Sequence, residues 1–496
     1  MNRHIRISSL LKRTTMLVIP ALAAVAVPAP SQARMAAAPG ASAPAPQAQR
    51  APDIVLFIAD DLSREDVGAY GSPDAKTPNI DRLAREGMRF TNAFAASPTC
   101  SPSRSSILTG DYPGRNGAHA NHSAIKDGLT TLPAYLQKLG YRVVIAGKTD
   151  FGNRANFPFE YLPSSVIRPP EGRGVLWSNL NVEAVDKVLA TRDRSKPLAL
   201  IVATFAPHVP WPDNDGFDAN KLTVPPYLLD TPETREARTE YLTKVRQADT
   251  ELAAVRASIA KYGGADTTLF LFTADQGAQF PFAKWNLYDA GIATPLIAVW
   301  PGHIPTGKTT GAMVSLVDLL PTMEAAAGGK PTRGIDGESF LPVLLGKTDK
   351  GHDEIYAEHS GVLQTGPHAN IAPMRAIRTD QYKLIVNFRP DIRYVNAISE
   401  GSGKEKSFWK SWVRAAQTDP RAKAVVEHFH HRVPVELYDI RKDPYELHNL
   451  ANDPAYKNVS DGLRAKLDAW LVSEGEDPKH IPLPSEATPG NFPYAQ

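Results

Sequence analysis

The sequence predicts an α/β protein: a mostly parallel central sheet flanked by helices, followed by a smaller C-terminal antiparallel α+β subdomain. Three observations carry this. Five short apolar runs (53–59, 142–146, 198–205, 267–273 and 295–300) are near-continuous rather than alternating, as in strands buried on both faces of a parallel sheet. Stretches of helical periodicity fall between them. Past about Gly351 the pattern changes, and Met374–Arg378 and Tyr382–Asn387 flank Thr379-Asp380-Gln381 as a hairpin would. With 496 residues the chain can bury a large core and form two structural units.

At the N-terminus, Arg3, Arg6, Lys12 and Arg13 precede an apolar run from Met16 to Val27, and Ser31-Gln32-Ala33 offers small residues. This predicts an export signal over 1–33, with the mature protein periplasmic or secreted. The run is short for a membrane anchor, and no later stretch is apolar enough to span. Residues 34–51 are rich in Ala and Pro and read as a disordered linker. A catalytic unit over 52–350 and a C-terminal subdomain over 351–496 are then expected. Net charge is +2, without the clustered basic excess of a nucleic-acid binder. A single cysteine excludes a disulfide framework in an exported chain.

The first strand, Asp53–Ala59, runs straight into Asp60-Asp61. Two carboxylates at the carboxyl end of a buried strand occupy the usual ligand edge of an α/β sheet, and they repel each other unless a cation lies between them. Hard oxygen ligands favour calcium or magnesium. A helix over Asn79–Gly87 follows, with Ile80, Leu83 and Ala84 on one face and Gly87 as its stop. Next comes Ser97-Pro98-Thr99-Cys100-Ser101-Pro102-Ser103-Arg104, in which Cys100 is the only thiol of the chain. A short helix starting near Ser103 would place Cys100 beside its positive end, with Arg104 one turn on, an environment suited to an anion. A buried structural thiol is the other reading, and a Pro- and Ser-rich turn suits it poorly.

A helix over Thr130–Leu139, stopped by Gly140, leads to the strand Arg142–Ala146 and then Gly147-Lys148-Thr149-Asp150. The strand Leu198–Phe205 ends in Ala206-Pro207-His208-Val209-Pro210, a turn stiffened by prolines that delivers His208 to the same edge. Thr231–Tyr262 keeps helical spacing through Leu242, Val245, Leu252, Val255 and Ile259 and reads as scaffold. The strand Thr267–Thr273 is followed by Asp275-Gln276-Gly277, a second oxygen-ligand group at a strand end. Pro295–Trp300 reads as a fifth strand, Ser315–Ala327 as a helix, Val435–Asp439 as a strand and Lys457–Leu471 as an amphipathic helix.

The run Cys100-Ser101-Pro102-Ser103-Arg104 with Leu108-Thr109-Gly110 resembles the signature of the formylglycine-dependent (type I) sulfatases of the alkaline phosphatase superfamily. Lys148 matches that family's Gly-Lys-x-His, while Asp150 stands where its histidine would be. Pro207-His208-Val209-Pro210 matches Pro-His-x-Pro. Thr273-Ala274-Asp275-Gln276-Gly277 resembles Thr-x-Asp-Asn-Gly, with Gln276 one methylene longer than Asn. The likeness runs from Ala51 to about Glu474. It is nearest to the N-sulfoglucosamine sulfohydrolase (sulfamidase) group, on Phe280-Pro281, Asn286-Leu287-Tyr288, Met374-Arg375 and Glu436-Leu437-Tyr438-Asp439, with Asp443-Pro444 and Asn449-Leu450.

The resemblance implies that a formylglycine-generating enzyme oxidises Cys100 to an aldehyde whose hydrate is the nucleophile. It implies one calcium ion (Ca2+) per chain held by Asp60, Asp61, Asp275, Gln276 and residue 100. Arg104, Lys148 and Lys284 would meet the sulfate, and His208 would protonate the leaving atom. Asp150 would either pair with Lys148 and act as a base, or leave that work to another group. The implied substrate is a sulfated saccharide, N-sulfoglucosamine first and O-sulfated glycans second, with His359, Arg375 and Arg378 as candidate sugar contacts. Two other readings share these residues: a phosphomonoesterase or phosphodiesterase of the same superfamily, and an inactive protein that binds sulfated glycans. The 13 histidines and mostly carboxylate ligands fit a two-metal phosphatase site less well.

Overall fold

The strand Asp53–Ala59 is buried at all seven positions, and its alternate residues feed two different cores. Val55 and Phe57 pack with Leu242, Val245 and Leu252 of a 30-residue helix, Pro232–Lys261, on one face. Ile54, Leu56 and Ile58 pack with Leu132, Leu136, Leu320 and Met323 on the other. A strand's side chains alternate in direction, so a strand covered on both faces must be apolar throughout. Each such side chain contributes about 1.5–3 kcal/mol by burial.

The computed structural model describes residues 51–170, 175–330, 332–362, 371–401 and 407–489. The expected export signal, and the Ala/Pro-rich segment apart from Ala51, lie outside these residues. Ala51–Gln496 forms one compact unit. Among the described residues the strands are β1 (Asp53–Ala59), β2 (Met88–Phe94), β3 (Arg142–Gly147), β4 (Glu160–Leu162), β5 (Val166–Ile167), β6 (Asn179–Leu180), β7 (Leu198–Ala203), β8 (Thr268–Ala274), β9 (Leu296–Val299), β10 (Lys308–Ser315), β11 (Glu354–Gly361), β12 (Ile371–Thr379), β13 (Tyr382–Asn387) and β14 (Val435–Asp439).

The central sheet has the order β10-β2-β9-β8-β1-β7-β3-β4 and is parallel except at β9, which runs against β2 and β8. Helices flank it, and a separate antiparallel sheet, β11-β12-β13-β14, follows in the chain. The expected hairpin pairs Met374 with Asn387 and Arg378 with Lys383. The C-terminal helix Lys457–Glu474 lays Leu463, Leu467, Trp470 and Leu471 against Ile377, Leu384 and Leu437. Among the described residues no helix is long and apolar enough to cross a membrane.

Two local expectations are corrected, and two strands are added. The helix expected near Ser103 begins at Cys100 and runs to Thr109. All ten of its residues are buried, so no apolar stripe marks its boundary. The strands β2 and β10 are not among the expected elements, because both mix polar and apolar residues at sheet positions near the edge. The helix over 315–327 opens with a single tight turn, Leu316–Asp318, before Leu319–Ala326.

Candidate active site

Four parallel strands end on one edge, and each carries a polar residue just past its end. β1 leads to Asp60 and Asp61, β3 to Lys148, β7 to His208 and β8 to Asp275 and Gln276. Asp61 takes a left-handed backbone, φ 66°, which is uncommon for a residue with a Cβ and bends the chain sharply at the strand end. Cys100 opens its helix above this edge. Ser103 Oγ donates to the Asp275 carbonyl at 2.6 Å, which ties that helix to the end of β8. The Trp285 amide donates to the Pro98 carbonyl at 3.0 Å and brings the Lys284 loop against the Cys100 turn.

The side chains converge. Lys148 Nζ donates to both Asp60 oxygens, at 2.9 and 2.7 Å. Arg104 Nε donates to Asp275 Oδ2 at 2.8 Å, and its Nη2 to Asp60 Oδ1 at 3.3 Å. Lys284 Nζ donates to Asp61 Oδ2 at 2.7 Å. Cys100 Sγ lies 3.8 Å from Asp60 Oδ1 and 3.9 Å from Asp61 Oδ1, and accepts from Gln276 Nε2 at 3.2 Å. His208 Nε2 is 3.7 Å from Asp61 Oδ2, and Asp150 Oδ2 is 3.5 Å from Lys148 Nζ. The ten residues named from the sequence for catalysis and metal binding therefore come together at Cys100, and every one is buried.

Comparison with known proteins agrees with this geometry. The model of the sulfatase family matches residues 52–329, more than half of the chain. The chain belongs to the sulfatase family. A second family model, the C-terminal part of N-sulphoglucosamine sulphohydrolase, matches residues 277–397 of this sulfatase. An ulvan-active sulfatase of Formosa agariphila is 30% identical over 428 residues, spanning 86% of this chain and 81% of the relative. The human N-sulphoglucosamine sulphohydrolase is 28% identical over 463 residues, spanning 84% and 89%. Among solved structures, BT4656 in complex with its substrate D-glucosamine-2-N,6-O-disulfate aligns over 87% of this chain and 100% of its own, with TM-score 0.65 and 20% identity. A phosphonate monoester hydrolase of Agrobacterium radiobacter shares the fold at TM-score 0.64 and 18% identity, over 85% and 96%. The chain is thus a sulfatase-family hydrolase near the sulfamidases, with their alkaline-phosphatase-like fold.

Electrostatics of the sulfatase site follow from burial and crowding. Burial pushes the Cys100 thiol up to about 12, against the pull of Lys148 and Lys284, so the unmodified thiol stays protonated at neutral pH. Burial also raises Asp275, to about 7, with Arg104 opposing. Asp60 is held well below the usual carboxylate range: burial alone would raise it, but Lys148, Arg104 and Lys284 together outweigh that. Asp61 is raised by burial and by the charge of Asp60. Burial and Lys284 keep His208 neutral, and its Nδ1 lies 2.5 Å from the Val209 carbonyl. A carbonyl only accepts, so Nδ1 carries the ring hydrogen and Nε2 presents its lone pair to the site.

The residues present fit a hard cation. Asp60, Asp61 and Asp275 supply carboxylate oxygens, and Gln276 Oε1 is buried with no hydrogen-bond partner among the described residues. Asp60, Cys100 and Asp275 form one group with potential ligand atoms within 4.8 Å of one another, and Asp61, Cys100 and His208 form another. An all-oxygen set of three carboxylates and one amide suits calcium or magnesium rather than zinc.

The candidate sugar contacts are corrected. His359, Arg375 and Arg378 are buried, at 1%, 0% and 4% exposure. Arg375 is clamped by Glu476 at 2.5 and 2.8 Å and lies 3.2 Å from Glu358, while Arg378 binds Asp289. Arg375 and Arg378 are thus engaged in ion pairs inside the fold, and His359 is buried on the adjacent strand β11. The sequence reading missed His122. Its backbone is left-handed, φ 68°, and its amide donates to Ser101 Oγ at 2.7 Å beside Cys100. Its ring is close enough to Asp150, Lys148 and Lys284 for their charges to act on it. No strand precedes it, so the strand-end logic that finds the other residues does not reach it.

Proposed function

We propose that this sulfatase hydrolyses sulfate from sulfated saccharides, with N-sulfoglucosamine the first candidate, using a formylglycine at position 100 and one calcium ion. The observation that carries the reading is the ring of Arg104, Lys148 and Lys284 around a lone thiol that is itself a poor nucleophile. Three cations set against the carboxylates of Asp60, Asp61, Asp150 and Asp275 suit an anion brought to a cation-binding centre. A formylglycine hydrate supplies a nucleophilic hydroxyl and a second hydroxyl through which sulfate can leave. Asp60, Asp61, Asp275 and Gln276 would hold the calcium ion, which would supply positive charge against the sulfate oxygens.

The chain's own residues account for the rest. Arg104, Lys148 and Lys284 bind and orient the sulfate oxygens. His208 takes up a proton at Nε2 when the anionic sulfate enters beside it, and gives that proton to the leaving oxygen or nitrogen as its bond to sulfur breaks and the bond pair moves onto that atom. The neutral ring with hydrogen on Nδ1 is the form that remains afterwards. Support for a saccharide comes from the relatives: one is named for ulvan and one for N-sulphoglucosamine, and a structural neighbour holds a glucosamine disulfate. The test is sulfate release from oligosaccharides carrying N-, 6-O- or 2-O-sulfate. Release from the N-sulfated member supports the sulfamidase reading, and release from O-sulfated members alone moves the assignment to an O-sulfatase. Activity confined to phosphate esters, with zinc bound, would overturn both.

A further inference from the structure

Lys244 lies on the helix Pro232–Lys261, faces inward and is 3% exposed. A buried ammonium is costly unless its donors are satisfied. Its two hydrogen-bond acceptors are both main-chain carbonyls of one turn: His208 O at 2.5 Å and Pro210 O at 3.1 Å. The carbonyls on either side are also taken. Pro207 O accepts from Trp211 Nε1 at 3.0 Å, and Val209 O accepts from the His208 ring itself. Four consecutive carbonyls of the turn 207–210 are thus fixed by side chains, two of them by Lys244. The outcome is a single orientation of the His208 ring, with Nδ1 turned to the backbone and Nε2 turned to the site, 3.7 Å from Asp61 Oδ2.

We propose that Lys244 is a positioning residue for proton delivery: it clamps the 208–210 turn so that His208 Nε2 faces the leaving atom. The proposal rests on the reading of His208 as the acid. Removing the ammonium frees two carbonyls that define the turn, and the ring then loses the backbone against which its Nδ1 is set. The hydrogen bonds of Lys244 go to the turn and not to the groups proposed to bind calcium and sulfate, which feel it only through its charge.

The experiment compares two substrates in the calcium-loaded enzyme. Nitrocatechol sulfate has a leaving group that departs without a proton, whereas a saccharide sulfate needs one. Lys244→Met should lower kcat on the saccharide by about 10²-fold, in the range for loss of acid catalysis, with KM little changed. On nitrocatechol sulfate the loss should be less than about threefold. Lys244→Arg should restore most of the difference, and Lys244→Gln carries the same comparison should the methionine variant fold poorly. His208→Ala should show the same substrate split, and adding Lys244→Met to it should cost nothing further. Equal losses on both substrates, or additive losses in the double variant, would overturn the role of Lys244 while leaving His208 in place. A His208→Ala variant without the split would remove the acid assignment, and the proposal with it.

Discussion

Lys148 bridges two buried carboxylates: its Nζ is 2.7 Å from Asp60 Oδ2 and 3.5 Å from Asp150 Oδ2. The sulfatase pattern has a histidine at the second position, so this chain sets an acid where an imidazole would stand. Asp150→Asn keeps the shape and removes the charge. We expect kcat to fall about tenfold or more with KM changed less than about threefold. Combined with Lys148→Ala, the losses should fall short of additive by at least about 0.5 kcal/mol. Steady-state kinetics of the cycle checks both.

Asp275 accepts from Arg104, from the Asp61 amide at 3.0 Å and from the Gln276 amide at 2.9 Å, so it anchors three members of the site at once. Asp275→Ala should abolish stoichiometric calcium binding and lower turnover by about 10²-fold or more. Metal analysis beside sulfate release reads the two effects. Normal activity after exhaustive chelation would count against the cation.

Asp60, Asp61, Lys148, His208 and Asp275 are legible in the sequence because each follows an apolar run, and parallel strands must end on one edge. Lys244 and His122 are not. Lys244 is one of several charged residues along a helix, and only the packed turn reveals which way it faces. His122 sits on irregular backbone that no periodicity announces. The strand β2 is hidden because Arg89, Thr91 and Asn92 interrupt its apolar residues. Arg375 and Arg378 read as surface charge because their partners Glu476 and Asp289 lie 101 and 89 residues away.

Arg375 is fully buried between Glu476 and Glu358. Replacing it leaves the buried Glu476 carboxylate without its cation, which typically costs about 3–5 kcal/mol. Arg375→Met should show that loss in denaturant unfolding, with KM for saccharide unchanged in whatever folded enzyme remains. A raised KM with unchanged stability would return Arg375 to the sugar-contact role.

A cluster of buried acids near Arg115 makes stability fall with rising pH. Burial and the neighbouring Asp336 and Glu358 push Glu474 up to about 9. Burial, with Glu476 adding to it and Arg375 opposing, pushes Glu358 to about 8. Burial and Asp336 push Asp111 to about 6. Acids raised above their unfolded values bind more protons when folded. Their contribution is therefore full below about pH 4, the unfolded carboxylate range, and is lost as pH climbs through the folded values. Thermal melts from pH 5 to 9 should show a decline that Glu474→Gln flattens. A slope that Glu474→Gln leaves unchanged would contradict this assignment.

The state of residue 100 tests the central claim most directly. Its thiol is held protonated, at about 12, inside a ring of cations built for an anion. Intact and peptide mass of enzyme produced in a host that makes the modifying enzyme should show the aldehyde or its hydrate at position 100. That residue should label with a hydrazide probe, and the labelled fraction should track activity across preparations. Full turnover by a protein whose Cys100 is an unmodified thiol would contradict the account.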